Sequence, residues 1–253
     1  MLLVLSPAKS LDFITPAPFA SATQPLFAKP AFELIKILRQ YDVPQLAQLM
    51  HISDKLAALN VARNHEWKSK FEIGTAKQAI LAFNGDVYEG FDAASLTVDD
   101  WNYAQNVVRS LSGLYGILRP FDLMHPYRLE MGTRLDNAKG KDLYAFWGER
   151  LAKHLNAELK NHESQVLINL ASEEYFKAVP IKALKYPVIQ PVFYDGAKVV
   201  SFYAKRARGL MARYIVQNKI EQPELLKNFT AGGYQFTGEQ IVKNRLQWVF
   251  ARD

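Results

Sequence analysis

The chain has 253 residues, of which 49% are apolar and 22% charged, the balance of an ordinary globular protein with a sizeable core. Its formal charge is +6 and its isoelectric point lies near 9.3, which favours a polyanionic partner. It has no cysteine, so a disulfide scaffold, a zinc-thiolate site, a cysteine-held iron–sulfur cluster and thiol peroxide chemistry are all excluded. No apolar run approaches the length of a membrane span. The apolar start Met1–Leu5 is too short for a secretory signal and lacks its basic flank. The expectation is a cytoplasmic protein.

In chain order, Leu2–Leu5 reads as a short buried strand ending at Ser6-Pro7. Residues 15–30 form a loop punctuated by Pro16, Pro18, Pro25 and Pro30. Apolar spacing predicts a helix over 32–41, then a helix, a short turn at 51–53 and a second helix over 54–67. A helix is also expected over 75–83, stopped by Asn84-Gly85. Thr97 and Asp100 resemble a capping box opening a helix to about Leu111. Asp142 is placed to cap a long amphipathic helix reaching Lys160. Residues 166–170, 188–193 and 198–202 look like strands, the last two joined by a turn at Asp195-Gly196. A helix over 203–217 and a last strand over 246–250 complete the chain. Helices alternate with strands and no linker or repeat is visible. The fold class is therefore α/β (mixed α+β), one domain over residues 1–253, with central strands and surrounding helices.

Residues 44–63 have the order of a helix-hairpin-helix, a DNA clamp that ignores sequence. Amides in the turn and at the start of the second helix would face a phosphate, where unpaired N–H groups and the helix dipole favour an anion. The two glycines usual in that turn are replaced by His51 and Ser53. A plain αα-hairpin is the alternative.

The positive charge is unevenly placed. From Gly196 onward there are ten Lys/Arg against four Asp/Glu, so the whole excess lies in the last quarter. In the helix over 203–217, Lys205, Arg206 and Arg213 fall within about 100° of one another on a helical wheel, and Arg208 about 60° to the other side. Tyr203, Ala204, Ala207, Leu210, Met211 and Tyr214 fill the opposite face. That arrangement suits a polyanion, and equally a solvated surface helix. Lys9, just past the first strand, stands where open α/β sheets bind ligands. Asp86, Tyr127, Arg128 and Glu130 lie in polar turn segments from which an enzyme site could be assembled. The five histidines form no metal-binding pair, so no metal and no cofactor are expected.

Seven segments resemble those of the YaaA family of bacterial peroxide-stress proteins. They are LSPAKSLDF (5–13), LMHISDKLAALNVAR (49–63), AFNGDVYEG (82–90), LSGLYGILRPFDLMHPYRLEMG (111–132), GKDLYAFWG (140–148), INLASEEYF (168–176) and SFYAKRARGLMARYI (201–215). The resemblance implies a cytosolic protein that lowers damage during hydrogen peroxide stress by limiting free iron. It also implies a single-domain α/β fold with a positively charged cleft, a helix-hairpin-helix and DNA binding. It brings no established reaction.

Combined with the residues, the resemblance predicts binding of duplex or branched DNA by a protein expected to be a monomer. His51, Ser53, Lys55 and Arg63 would contact phosphates at the hairpin. Lys205, Arg206, Arg208 and Arg213 would line the cleft, with Lys9 and Arg128 adding to it. The alternative is an enzyme acting on a nucleotide or another phosphorylated small molecule, using the same cations for phosphate and Asp86, Tyr127 or Glu130 for protons. Direct iron sequestration lacks a suitable ligand set.

Overall fold

Leu2–Leu5 (β1) is four apolar residues with no polar face, and all four are fully buried. Such a run suits a parallel strand covered on both sides. In the computed structural model, which describes residues 1–253, β1 lies inside a seven-stranded sheet. The other strands are Val108–Ser112 (β2), Gly116–Leu118 (β3), Leu167–Leu170 (β4), Val188–Asp195 (β5), Gln235–Val242 (β6) and Arg245–Arg252 (β7). Their spatial order is β6-β7-β5-β4-β1-β2-β3. β1 runs parallel to β2 and β4, β4 to β5, and β5 to β7. The two margins are antiparallel: β3 folds back on β2, and β6 on β7. A bulge between Phe236 and Gly238 interrupts the β6–β7 register.

Taken in chain order, the five parallel strands lie second, first, third, fourth, fifth. This is a doubly wound order. The chain leaves β1 to one side to make β2, then crosses back to make β4. The connections diverge at the C-terminal ends of β1 and β4, which opens a crevice at that edge.

The α-helices longer than a single turn are Ala28–Leu38 (α1), Val43–Met50 (α2), Asp54–Glu66 (α3), Asp86–Phe91 (α4), Val98–Val107 (α5), Leu143–Trp147 (α6), Arg150–Leu159 (α7) and Ser201–Gln217 (α8). The buried apolar residues make one connected cluster from Met1 to Phe250. No helix is long and apolar enough to cross a membrane.

Several elements depart from the sequence-based expectation. The helix capped by Thr97 stops at Val107, and Val108–Ser112 becomes β2, fully buried beside β1. Its apolar residues fit either period, and pairing with β1 decides. Residues 198–200 are loop rather than strand, and the helix already starts at Ser201, so Asp195-Gly196 is a turn without a second strand. Ala204, Ala207 and Met211 are buried at helical spacing, while Val199 and Phe202 are each 51% exposed. Residues 75–83 form only a two-residue strand and one helical turn. There Lys77 and Gln78 pair with Leu123 and Met124, and their side chains donate to the carbonyls of Thr15 and Ser21. Those distant contacts override local helix preference. The long helix expected from Asp142 is broken into α6 and α7 at Gly148, whose φ of 50° and ψ of −128° no α-helix accepts. The strand Gln235–Val242 has no counterpart among the expected elements.

Candidate functional site

Ser6 and Ser172 meet just past the ends of β1 and β4. The Ser172 N–H donates to Ser6 Oγ at 2.8 Å, and the two hydroxyls lie 3.2 Å apart. From α4, the Tyr88 hydroxyl donates to the Ser6 carbonyl at 3.1 Å and lies 2.9 Å from Ser110 Oγ. Tyr127 and Ser112 share a 2.6 Å hydroxyl pair. Burial raises the Tyr88, Tyr127 and Tyr175 phenols well above the ordinary tyrosine range. They stay neutral and act as hydrogen-bonding groups.

Charged side chains rim this hydroxyl layer. Glu130 accepts from Lys9 Nζ at 2.7 Å and from Arg128 Nη2 at 2.8 Å, so one carboxylate faces two cations. Arg128 Nε is buried and has no acceptor. Pro7, Ala8, Lys9, Arg128, Glu130 and Tyr175 border a cleft of about 20 Å³. Glu174 accepts from the Gly132 N–H at 2.9 Å. Both oxygens of Glu173 are held by Arg245 Nη1, at 2.6 and 2.8 Å. Arg208 is half-buried, and its guanidinium has no carboxylate within ion-pair distance. Burial lowers its pKa, and the Glu173 charge acts in the opposite sense. Asn169, almost wholly buried in β4, folds over the strand end. Its Oδ1 accepts from the Ala171 N–H at 3.0 Å, and its Nδ2 is left without an acceptor.

α8 crosses α4 with the two backbones touching. A Cβ on Gly209 would stand 1.9 Å from the Val87 carbonyl oxygen, and one on Gly90 would stand 2.3 Å from that of Arg206. Only glycine permits this approach. Gly85, just before α4, lies against Ala8 of the β1 loop. Lys205 then faces Asp86 at 3.6 Å, while Arg206 is exposed. Arg213 is occupied otherwise. It donates to the Phe91 and Asp92 carbonyls at 3.0 and 2.8 Å and pairs with the Asp92 carboxylate, so it fastens the C-terminal end of α4. The structure thus brings Lys9 and Arg128 together on Glu130, sets Lys205 beside Asp86, and leaves Arg208 within reach of the Glu173 charge. Of the proposed proton-handling groups, Glu130 meets Lys9 and Arg128, Tyr127 meets Ser112, and Asp86 turns to Lys205.

The hairpin residues form a second group. Asp42 and Gln45 close a capping box on α2. His51 takes a left-handed conformation (φ 52°), and Ser53 caps α3 by accepting from the Leu56 N–H at 3.4 Å. His51, Ser53, Asp54 and Lys55 are exposed. Arg63 sits about 12 Å further along α3. It is half-buried, burial lowers its pKa, and it lines a hollow of about 270 Å³ with Trp67, His125 and Pro126. The segment 125–130 runs from that hollow to Arg128 and Glu130 in the crevice. Ser6, Ser172, Asn169, Glu173 and Arg245 escaped the sequence reading. The available signals were Ser6 and Ser172 just past two predicted strands, and these serines gain meaning only once the strands are known to be neighbours. No three His, Asp or Glu side chains converge as metal ligands.

The family model described as peroxide stress protein YaaA matches residues 1–240. A UPF0246 protein of Janthinobacterium sp. (strain Marseille) is 56% identical over 256 residues, covering 100% of this chain and 98% of the relative. UPF0246 proteins of Paraburkholderia phytofirmans and Paraburkholderia xenovorans are each 57% identical over 258 residues, with the same coverage. With its doubly wound sheet and its match over nearly the full length, the chain belongs to the peroxide stress protein YaaA family.

Proposed function

We propose that this protein acts in the cytoplasm during peroxide stress as a monomeric DNA-binding protein without sequence preference, and that its action limits free iron. The observation that carries the DNA reading is the hairpin turn. His51 and Ser53 are exposed, as are Asp54 and Lys55 at the start of α3. A turn buried in the core would present none of these groups. The first amides of α3 and the Lys55 ammonium offer a phosphate both N–H donors and positive charge. Lys205 and Arg206 on α8 offer further exposed cations, and on this reading Arg63, Lys9, Arg128 and Arg208 supply the remaining phosphate contacts.

Binding to duplexes of two unrelated sequences, followed by fluorescence anisotropy across a salt series, tests this reading. If about six phosphates are neutralised, log affinity falls with log salt at a slope near −5, equally for both sequences. The triple variant Lys55→Ala, Lys205→Ala, Arg206→Ala weakens both alike and flattens the slope by about three. An unchanged slope in that variant overturns the assignment. For the iron role, a strain lacking the protein shows a higher chelatable-iron signal by electron paramagnetic resonance after peroxide exposure. Equal signals with and without the protein rule it out.

A further inference from the structure

We propose that the loop before α8 and the start of α8 form a stacking platform for unpaired bases of DNA, with Phe202 and Tyr203 as the platform and Lys198, Lys205 and Arg206 as the contacts to its phosphates. The inference rests on the DNA reading and adds which form of DNA this surface takes. Val199, Val200, Phe202 and Tyr203 are 51%, 38%, 51% and 44% exposed. Exposed apolar side chains scattered singly are ordinary, but four among five consecutive residues make a patch that needs a reason. Cations border it. Lys198, Lys205 and Arg206 are all exposed, and the chain has no carboxylate side chain between Asp195 and Glu221. Of the three, only Lys205 has a carboxylate within ion-pair distance, that of Asp86. Apolar rings bordered by unopposed positive charge fit a partner that is both aromatic and anionic.

The helix sets the spacing. Arg206 lies one turn beyond both rings, at i+4 from Phe202 and i+3 from Tyr203, and Lys205 lies at i+3 from Phe202. Such neighbours stand about 5–6 Å apart at Cβ, so a base resting on either ring finds a cation for its phosphate. The two ring centroids are 5.5 Å apart and the planes are inclined at 66°, too steeply to sandwich one base, so each ring takes its own. The Arg252 guanidinium backs Tyr203 at 4.8 Å from the ring centroid, and Asp195 holds Arg252 in turn. The Tyr203 ring is therefore fixed before a base arrives, and less freedom is lost on binding. A duplex keeps its base faces stacked on one another, whereas unpaired bases bring theirs to aromatic side chains. Stacking of this kind tolerates any base, in keeping with binding that ignores sequence.

Fluorescence anisotropy of the full chain tests this inference with a short oligothymidine strand, an abasic strand of the same length, and a duplex of that length. The wild type binds oligothymidine more tightly than the abasic strand, which carries the same phosphates. Phe202→Ala weakens oligothymidine binding about tenfold, the loss of one base–ring stack, and leaves the abasic strand and the duplex unchanged. Phe202→Leu keeps apolar bulk without the ring and weakens it likewise, while Phe202→Trp retains the wild-type affinity. Tyr203→Leu gives an independent result at the second ring, in the same direction. Equal affinity for oligothymidine and the abasic strand, or ring variants that bind oligothymidine as the wild type does, overturns the proposal. Binding to phosphatidylglycerol vesicles that is lost in Phe202→Ala while oligothymidine binding is unaltered assigns the patch to a membrane surface and also overturns it. The duplex salt series with the Lys55, Lys205 and Arg206 variant reports separately on the DNA reading. A flattened slope there beside inert ring variants removes this inference alone. Ring-dependent oligothymidine binding with an unchanged duplex slope removes the hairpin assignment and leaves the platform standing.

Discussion

The hairpin of α2 and α3 and the crevice at the ends of β1 and β4 both present positive charge, but they are built in opposite ways. The hairpin is one stretch of chain. Its caps, its turn and its exposed cation all lie within about two dozen residues. The crevice draws Lys9, Arg128 and Ser172 from three separate segments, and none of them is a neighbour until the sheet has formed. A locally built surface depends on its own caps. An assembled one depends on whatever holds the distant segments in register.

The largest test of that distinction is at Glu158, which fixes β2 from α7. Arg109 in β2 is almost fully buried and donates to Glu158 through Nε at 2.8 Å and Nη2 at 2.9 Å. Burial pushes the Glu158 carboxyl up, but the neighbouring His154 and the hydrogen bonds from Arg109 outweigh it and hold the pKa at about 2. Glu158→Gln leaves a buried guanidinium without its counter-charge and costs about 3–5 kcal/mol at neutral pH by denaturant unfolding. The folded pKa lies below the unfolded one. The wild-type pair therefore contributes its full stability above about pH 4.5 and loses it as pH falls towards 2. The variant shows a flatter acid limb over that window. A variant with the wild-type acid limb would show that this pair does not anchor the sheet.

Next in size is the helix crossing. Gly209→Ala places a Cβ against the Val87 carbonyl and forces α8 away from α4. The cost is about 3 kcal/mol, the upper part of the usual range for overpacking. For a chain of this size that lowers Tm by about 6–12 °C. It also shifts Lys205, Arg206 and Arg208 relative to the β1 loop. The hairpin responds more mildly. Asp42→Ala removes the capping box of α2 and costs about 1 kcal/mol. Ser53→Ala costs about 0.5 kcal/mol, because the bond it removes is already 3.4 Å long. Equal losses at Gly209 and Asp42 would erase the contrast between assembled and local construction.

The same contrast explains what could be read from the sequence. β1, β4, β5 and β7 were visible as apolar runs, and the capping box at Thr97 was visible as spacing, because each depends on residues next to one another. The turn at 51–53 and the helix that follows it are legible for the same reason, within a residue of their observed bounds. β2 was hidden inside a predicted helix, since only parallel pairing with β1 distinguishes Val108–Ser112 from one more helical turn. Without β2 the strand order could not be deduced, and so neither could the crevice. Lys9 was noticed as a cation beyond a strand, and Arg128 and Glu130 as ionisable groups in a turn. That Glu130 bridges them follows from tertiary placement alone. Arg213 looked like a member of the basic face and is instead a cap for the end of α4, a use that wheel geometry does not reveal.

The bulge between Phe236 and Gly238 sits on the outermost strand, at the margin of the sheet that no further strand covers. A straight, regular margin would offer an incoming polypeptide an unbroken row of backbone donors and acceptors. Here the row loses its spacing within the first few residues, so templated growth from one molecule to the next is interrupted before it can propagate. An irregular margin of this kind disfavours edge-to-edge pairing between copies of the chain.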